Sequence, residues 1–465
     1  MLLIDNIKKQ IGPSSDYIFK EVVISRKRTF LIFNEVLTSS SDINDFILES
    51  LIVLKKKQLK KLSNYIPETN LKEIQEKEIL DYVNKGFLVL ICYKIYAIEV
   101  KRDLDRGIAE VESELSITGP KDAFSENFNT NLGLIRRRIK STNLYVDDLE
   151  IGRTTKTKIG ILYMNNLVNK NLVNDVKKRL EKIDIDGIID ASYLKITLEG
   201  NHNLFPTVVM TERPDRCSMA LLEGKVAIIT DMSPYVIILP SFFVDFFHTA
   251  DDYYQKDLNT TFIRIIRIIA FFIAIFTPAL YIAITTRNYS IVPLKLLLIL
   301  KAGRTFVPFS AYIEALFMIV AFEILKESDI RMSATTGSAV SILGGLILGD
   351  AAVSAGIVSP IMIIIIAISS IAGLIFPSNE LVNAIRFYKI FLLLLAAFLG
   401  IYGVLIGFIM LITKLFSTKN FNYKYLAPII PFEKHEIFDS FIKKDRNTKT
   451  RNSILTKNTI RGRYK

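Results

Sequence analysis

The chain has 465 residues, of which 50% are hydrophobic, and a net charge of +12; this length allows two or three domains. Its two cysteines, Cys92 and Cys217, are too far apart in sequence to indicate a disulfide framework or a metal site, and its histidines are equally scattered. Since no nucleic-acid-binding module and no nucleophile–base arrangement is recognisable, we expect no nucleic-acid partner, no metal, no cofactor and no enzymatic activity.

Residues 1–118 are predicted to form a first small subdomain. Short apolar runs bounded by turn residues indicate strands, and apolar residues that recur along one helical face indicate helices. The predicted elements are a strand at Phe30–Phe33, helices at Asp42–Leu54 and Leu71–Val83, and two paired strands at Phe87–Ile91 and Ile95–Val100.

Gly119 and Pro120 interrupt this pattern and begin a second predicted subdomain, residues 119–250. Pro214 suits the first turn of a helix, and Gly224 suits the end of it. The predicted helices are Asn129–Lys140, Val168–Ile183, Asp190–Leu198 and Pro214–Leu222, and the predicted strands are Lys158–Met164, Val226–Thr230 and Tyr235–Leu239. Both subdomains are therefore expected to have an α/β (α+β) fold.

Two charged clusters of the second subdomain are candidate contact sites. Arg136, Arg137 and Arg138 lie together at a predicted helix end, where they can bind an anion, meet another subunit or face solvent. Arg213, Asp215 and Arg216 surround Pro214, and they can form a contact site or serve only to cap the helix and form an ion pair.

Residues 251–416 are predicted to form a membrane domain of several helices. Phe262–Thr286 is the first predicted span, with Arg264 and Arg267 extending to the membrane surface at its start. A charged helix at Ile291–Arg304 is expected to lie at the interface. The further predicted spans are Phe306–Leu325, with Glu314 and Glu323 inside it, and Ile390–Thr413, with no charge.

Between these spans, residues 332–379 contain one charged side chain, Asp350. Small residues recur at helical spacing, among them Gly345 and Gly349, and such faces pack closely in membranes. One interpretation is helix packing with Asp350 at a hairpin tip; the other is that this face lines the pore of an oligomer. Together with Glu314, Asp350 is a candidate functional acid because carboxylates are costly in a membrane.

The last part, residues 417–465, is predicted to be a basic tail. From Thr413 onward the chain has 13 Lys and Arg against 4 Asp and Glu. Such a bias favours a tail on the cytoplasmic side, next to anionic lipid. Because the N-terminus turns polar at Asp5 and has no signal-peptide core, we expect the N-terminal domain on the same side and an even number of crossings.

From about Gly119 to Phe432 the chain resembles the A subunit of the GerA-type spore germinant receptors. The resemblance rests on GPKDAFSENFNTNLGLIRRRIK, TKTKIGILYMNNLVNKNLVNDVKKRLEKI, TERPDRCSMALLEGKVAIITDMSPYVIILP, DYYQ before the first span, and GDAAVSAGIVSPIMIIIIA. It implies a multi-pass protein of the spore inner membrane that acts with an amino-acid-transporter-like B subunit and a lipoprotein C subunit.

The resemblance also implies a homo-oligomeric ring around a nutrient-gated ion pathway. Several copies would bring Ser341, Gly345, Gly349 and Val353 together, with Asp350 near one mouth. Three alternatives stay open at this point. They are a family member that modulates ion release without its own nutrient response, a secondary transporter that uses Glu314 and Asp350 as a relay, and a membrane-anchored enzyme in residues 1–250.

Overall fold

The structure is a computed structural model of the chain. It describes residues 2–24, 27–53, 62, 71–102, 109–111, 113–200, 203–331, 345, 349–432, 440–443 and 455. Ser341, one of the predicted pore-lining residues, and most of the predicted tail beyond residue 432 lie outside these ranges.

The N-terminal subdomain is an antiparallel sheet with helices on both faces. The strands pair in the order β1-β2-β4-β5-β3. Alternate residues face opposite sides, as the period of a strand requires: Leu31 packs with the helical segment that contains Ile47, and Ile32 packs with Ile7 and Val83. The elements are α1 Leu2–Ile11, β1 Tyr17–Ile24, β2 Lys27–Asn34, α2 in three consecutive helical pieces (Ser40–Asp42, Ile43–Leu48 and Glu49–Val53), β3 Leu71–Glu73, α3 Ile79–Val83, β4 Phe87–Ile91 and β5 Ile95–Glu99.

The prediction of one helix over Leu71–Val83 is wrong. Its first residues form β3, which pairs with β5 through Leu71 and Ile98 at the sheet edge, and only the end of the range, Ile79–Val83, is α-helical. The range is rich in Glu and Lys, which favour helix, but pairing with a free sheet edge outweighs that weak local preference.

A two-stranded link leads to the second subdomain, a five-stranded antiparallel sheet in the order β10-β12-β11-β9-β8. One face packs under α5 and α6, and the other packs under α4 and α7. The hydrophobic core on the α4 and α7 side of this sheet, which contains Cys217 and Leu221, continues into the helical region without a break. The elements are β6 Ala109–Glu110, β7 Asp122–Ala123, α4 Phe128–Arg138, β8 Leu144–Ile151, β9 Thr157–Met164, α5 Lys170–Glu181, α6 Ala191–Glu199, β10 Val209–Thr211, α7 Pro214–Leu222, β11 Val226–Thr230 and β12 Val236–Leu239.

The helical region is arranged around one long helix, α8, which packs on two later helices, α11 and α12. Among the described residues, two helical segments are long and apolar enough to span a membrane: α8 with the turn that follows it to Arg287, and α12. The helices are α8 Asp257–Ile282, α9 Leu294–Ala302, α10 Ala311–Arg331, a short helical stretch at 349–354, α11 Pro360–Leu374, α12 Asn379–Leu399 and α13 Ile401–Ser417.

The predicted single span Ile390–Thr413 is wrong, because the chain reverses direction at Gly400. Its φ of +61° lies in the region that favours glycine, and the Asn288 side chain accepts a hydrogen bond from the Ile401 amide at 3.0 Å. Helices α12 and α13 consequently form an antiparallel hairpin. Gly403 lies against the Leu395 carbonyl and Gly407 against the Leu392 side chain.

The first residues after α13 do not form a free polar tail. They form a small hairpin, β13 Lys419–Asn420 and β14 Tyr423–Lys424. Phe421 packs into the core of the second subdomain, and the Asn420 amide donates to the Thr207 carbonyl. The end of the helical region therefore lies next to the second sheet.

Candidate functional site

The Glu212–Arg216 motif forms a buried charge cluster at the start of α7. The Arg213 side chain is fully buried and donates to Asp215 through Nε at 3.0 Å and Nη2 at 2.8 Å. The Tyr254 hydroxyl donates to the same carboxylate at 2.6 Å. Burial would raise the pKa of Asp215, but the hydrogen bonds from Arg213 and Tyr254 outweigh it and hold that pKa below its ordinary value.

The same cluster holds the segment that joins the two subdomains. Glu212 accepts from the Ser113 and Glu114 amides at 2.6 and 2.7 Å. Arg213 donates to the Glu114 and Pro120 carbonyls, and Arg216 pairs with the Glu114 carboxylate at 2.7 Å. Each charged group thus has a partner inside the protein, an arrangement that fixes the linking segment on the second sheet.

The three arginines at the end of α4 do not form one site. Arg136 is 1% exposed and forms a bidentate pair with Asp16 of the first subdomain, at 2.7 and 2.8 Å. Arg138 pairs with Asp122 at 2.6 Å. Of the six residues predicted to contact another subunit, Arg137 is the one with an exposed side chain, and its contact role stays a prediction.

A third cluster anchors the start of α8. Arg264 and Arg267, which were expected to extend to the membrane surface, are instead buried around Asp252, at 3.2 and 2.8 Å. Arg267 also donates to the Phe247 carbonyl at 2.8 Å. The prediction failed because Asp252 lies in a separate short helix before α8, where only the tertiary fold brings it close.

Glu314, the predicted intramembrane acid, is 1% exposed, and both of its carboxylate oxygens accept hydrogen bonds. One carboxylate oxygen accepts from Arg304 at 2.8 Å. The other accepts from the Ser359 amide and hydroxyl at 3.2 and 3.0 Å, just before α11 begins. The carboxylate therefore connects three segments of the helical region.

None of the pore-lining candidates that the structure describes is fully buried. A Cβ added at Gly345 or at Gly349 would meet no atom within 4 Å. Asp350 is exposed and Val353 is half-buried, both in the helical stretch 349–354. Within the described part of the chain, no group of His, Cys, Asp and Glu has the arrangement of a metal site.

Sequence reasoning missed three acidic partners in these clusters: Asp16, Glu114 and Asp252. Each is 12 or more residues from the arginine it binds, and no short-range spacing marks such a pair. For Asp252 the available signal was Arg264 and Arg267 in an apolar run, because a guanidinium that enters a core needs a carboxylate nearby.

The protein has two sheet subdomains, and buried ion pairs join them to apolar helices of membrane-spanning length. This arrangement defines a class of protein with a folded N-terminal region and a helical C-terminal region. Residues 5–454 match the family model of the Bacillus/Clostridium GerA spore germination protein. The chain therefore belongs to the GerA family of spore germination proteins.

Individual relatives match over nearly the whole chain. It is 35% identical to spore germination protein KA of Bacillus subtilis (strain 168), over 94% of this chain and 82% of that protein. It is 32% identical to the uncharacterized membrane protein YfkQ of the same organism, over 96% and 89%. The crystal structure of the N-terminal domain of the A subunit of the Bacillus megaterium germinant receptor GerK3 matches with 28% identity and a TM-score of 0.41, over 52% of this chain and 94% of that one.

Proposed function

We propose that this protein is the A subunit of a germinant receptor in the spore inner membrane. In this role, several copies assemble with an amino-acid-transporter-like B subunit and a lipoprotein C subunit around an ion pathway that a nutrient opens. Family membership and the two helices of membrane-spanning length support this assignment. The N-terminal domain and the C-terminal tail would lie on the cytoplasmic side.

The observation on which the ion pathway rests is the helical stretch 349–354, where Ala352 packs into the core while Gly349 and Val353 are only half-buried. Gly349 and Val353 are four residues apart, so they share one helix face. Gly349 has open space where its side chain would be, and the neighbouring Asp350 is exposed. A small-residue face next to one carboxylate suits contact with further copies and a watery passage between them.

Contacts between the second subdomain and the helices support coupling across the protein. Lys195 of α6 pairs with Glu380 at the start of α12, and its side chain is 10% exposed. Movement of the sheet subdomain would therefore act directly on one of the candidate spanning helices.

Ion release from liposomes tests the proposal. The receptor is purified with its B and C subunits, reconstituted in vesicles loaded with KCl, and exposed to a mixture of amino acids and sugars. We expect Gly349→Leu to slow potassium release about tenfold or more, because a bulky side chain narrows the pathway and raises the free-energy barrier to ion passage. A tenfold slower release corresponds to a barrier that is higher by about 1.4 kcal/mol.

Ala351→Leu is the matched control. Ala351 is exposed and two residues from Gly349, so it lies on the opposite face of the same stretch. It should release potassium like the unmodified receptor. Potassium release that is unchanged in Gly349→Leu would contradict the assignment of this face to a pore. A purified complex that contains a single copy of this chain would contradict it as well.

A family member that modulates ion release without a nutrient response is the second candidate. The same vesicles separate the two, since a modulator would conduct ions independently of the nutrient mixture. A transporter relay through Glu314 is less favoured, because both oxygens of its carboxylate already accept hydrogen bonds from Arg304 and Ser359.

A further inference from the structure

An open cavity of about 240 Å³ lies between α10, α11 and α12, with Gly345 also on its wall. Its volume is several times the roughly 30 Å³ that one water occupies in the liquid. Most of its wall is apolar, with Phe322 and Val382 among the lining residues. Its charged groups are Glu323, Lys326, Arg386 and Lys389.

Lys389 lies in the middle of α12 and is 5% exposed. Within the described part of the chain, its ammonium group forms no hydrogen bond and no ion pair. A buried ammonium group without a counter-charge is strongly unfavourable, so such groups are paired or hydrogen-bonded to something in the working protein.

Glu323, the carboxylate on the cavity wall, attracts Lys389 but is paired with another cation. Glu323 lies 2.8 Å from Arg386 as an ion pair. This pair joins the Arg386 Nε to the Glu323 Oε2, two buried atoms with no further partner among the described residues. Three cations therefore surround one carboxylate, which is already shared, and the cavity retains two positive charges.

We propose that this cavity binds an oxyanion, a phosphate or carboxylate group, held by Lys389 and Lys326. The Ser370 hydroxyl on the same wall supplies a neutral donor. Hydrogen bonds from charged donors to such oxygens are short and strong. The apolar wall would accommodate the rest of an amphiphilic anion.

Such an anion can be the headgroup of a lipid or a free anion in solution. Two arms of one experiment distinguish these two sources. In the first arm the full chain is purified into nanodiscs of phosphatidylcholine with or without phosphatidylglycerol, and retained lipid is counted by native mass spectrometry. In the second arm its melting temperature is measured in phosphatidylcholine nanodiscs with increasing inorganic phosphate, at constant ionic strength.

We expect Lys389→Gln to weaken anion binding about tenfold in whichever arm shows it, since loss of one charge-assisted contact is worth about that factor. Lys389→Arg should retain binding. The control is Lys295→Gln, which removes an exposed cation of α9 that is outside the cavity. Retention of phosphatidylglycerol that depends on Lys389 assigns a lipid headgroup, and stabilisation by phosphate that depends on Lys389 assigns a free anion.

The melting temperature without phosphatidylglycerol or added phosphate separates binding from folding. If the cavity is empty, Lys389→Gln removes an unpaired buried charge and should raise the melting temperature of the anion-free protein. The proposal is overturned if neither anion distinguishes the unmodified protein from Lys389→Gln, or if Lys295→Gln loses binding to the same extent.

Discussion

At the scale of single residues, this protein is held together by buried arginines whose carboxylate partners come from distant segments. The pair between Arg136 and Asp16 joins the two subdomains, and neither side chain is more than 2% exposed. Ser14 and Asn34 also hydrogen-bond to Asp16, and burial raises the pKa of the adjacent Tyr17 to about 12.

Replacement of Arg136 by Met should strongly destabilise the junction. It leaves the Asp16 charge buried without its partner, a situation that costs about 3–5 kcal/mol. Thermal unfolding followed by circular dichroism should show a lower melting temperature. Adding Asp16→Asn should recover part of the loss, because the uncompensated charge is then gone.

Arg137→Met is the control for the first prediction, since that neighbouring side chain is exposed. It should melt close to the unmodified protein. Equal effects of Arg136→Met and Arg137→Met, or no recovery in the double variant, would show that the ion pair does not hold the subdomains together.

His248 makes the stability of the region around the start of α8 depend on pH. Burial and the charge of Arg264 hold the pKa of His248 below its ordinary value, against the opposing effects of Asp252 and Asp245. Its Nε2–H donates to the Ser440 carbonyl at 2.8 Å. The folded protein therefore keeps this ring neutral at pH values where the unfolded chain binds a proton.

Stability contributed by this group is complete above the unfolded pKa of about 6.5 and falls as the pH decreases below it, by at most about 1.4 kcal/mol per unit. The melting temperature should consequently drop between pH 7 and pH 5. In His248→Gln, which can still donate to Ser440, the drop should be smaller. An identical drop in both proteins would contradict this assignment, because the window lies above the range where ordinary carboxylates titrate.

At the scale of elements, the α12–α13 hairpin depends on glycines at the contact between its two helices. A Cβ at Gly403 would overlap the Leu395 carbonyl, which belongs to the backbone and cannot move aside. Gly407 faces the Leu392 side chain instead, where the obstruction is the far end of a flexible group.

Gly403→Ala should therefore lower stability by about 1–3 kcal/mol, the usual cost of forcing extra volume into a packed contact. The melting temperature in detergent measures this effect, and Gly407→Ala should lower it less. Gly373→Ala is the control, since a Cβ on that helical glycine meets nothing within 4 Å and alanine favours helix. If Gly403→Ala melts no lower than Gly373→Ala, the hairpin is not closely packed at that point.

At the scale of the whole molecule, the sheet region and the helical region are joined by direct polar contacts. Lys195 pairs with Glu380, Asn420 donates to the Thr207 carbonyl, and Asn169 donates to the Tyr423 hydroxyl at 3.2 Å. These contacts involve both an early part of α12 and the chain that leaves α13, so the second subdomain is attached to the helices at two places.

A zero-length carbodiimide cross-link tests this attachment. Because Lys195 and Glu380 are in contact, the reagent should join α6 to α12 through an amide that peptide mass spectrometry identifies. The pair Lys177 and Asp147, 2.7 Å apart within the second subdomain, is the internal standard. Lys195→Arg should abolish the first cross-link only. Formation of the standard without the Lys195–Glu380 product would show that the two regions are not docked in this way.

Most elements of the second subdomain were predictable from the sequence, because the local helix and strand preferences there agree with the tertiary contacts that each element makes. Pro214 and Gly224 bound α7 as expected, and the strand at Lys158–Met164 is present as β9. Strands β1 and β8 were not predicted. They pair along their whole length with β2 and β9, and they carry enough polar residues that their apolar pattern is weak.

The sequence by itself determined the order of the parts: two subdomains of helices and strands, then a helical region rich in apolar residues, recognisable as a member of the GerA family. It did so through periodicity and long matching strings, which depend on neighbouring residues. Only the tertiary structure decided that the uncharged run around Gly400 is a hairpin, that Arg264 and Arg267 surround Asp252, and that Lys389 faces a cavity. These facts depend on contacts between distant residues, and burial of charge is a property of the three-dimensional surroundings rather than of the local sequence.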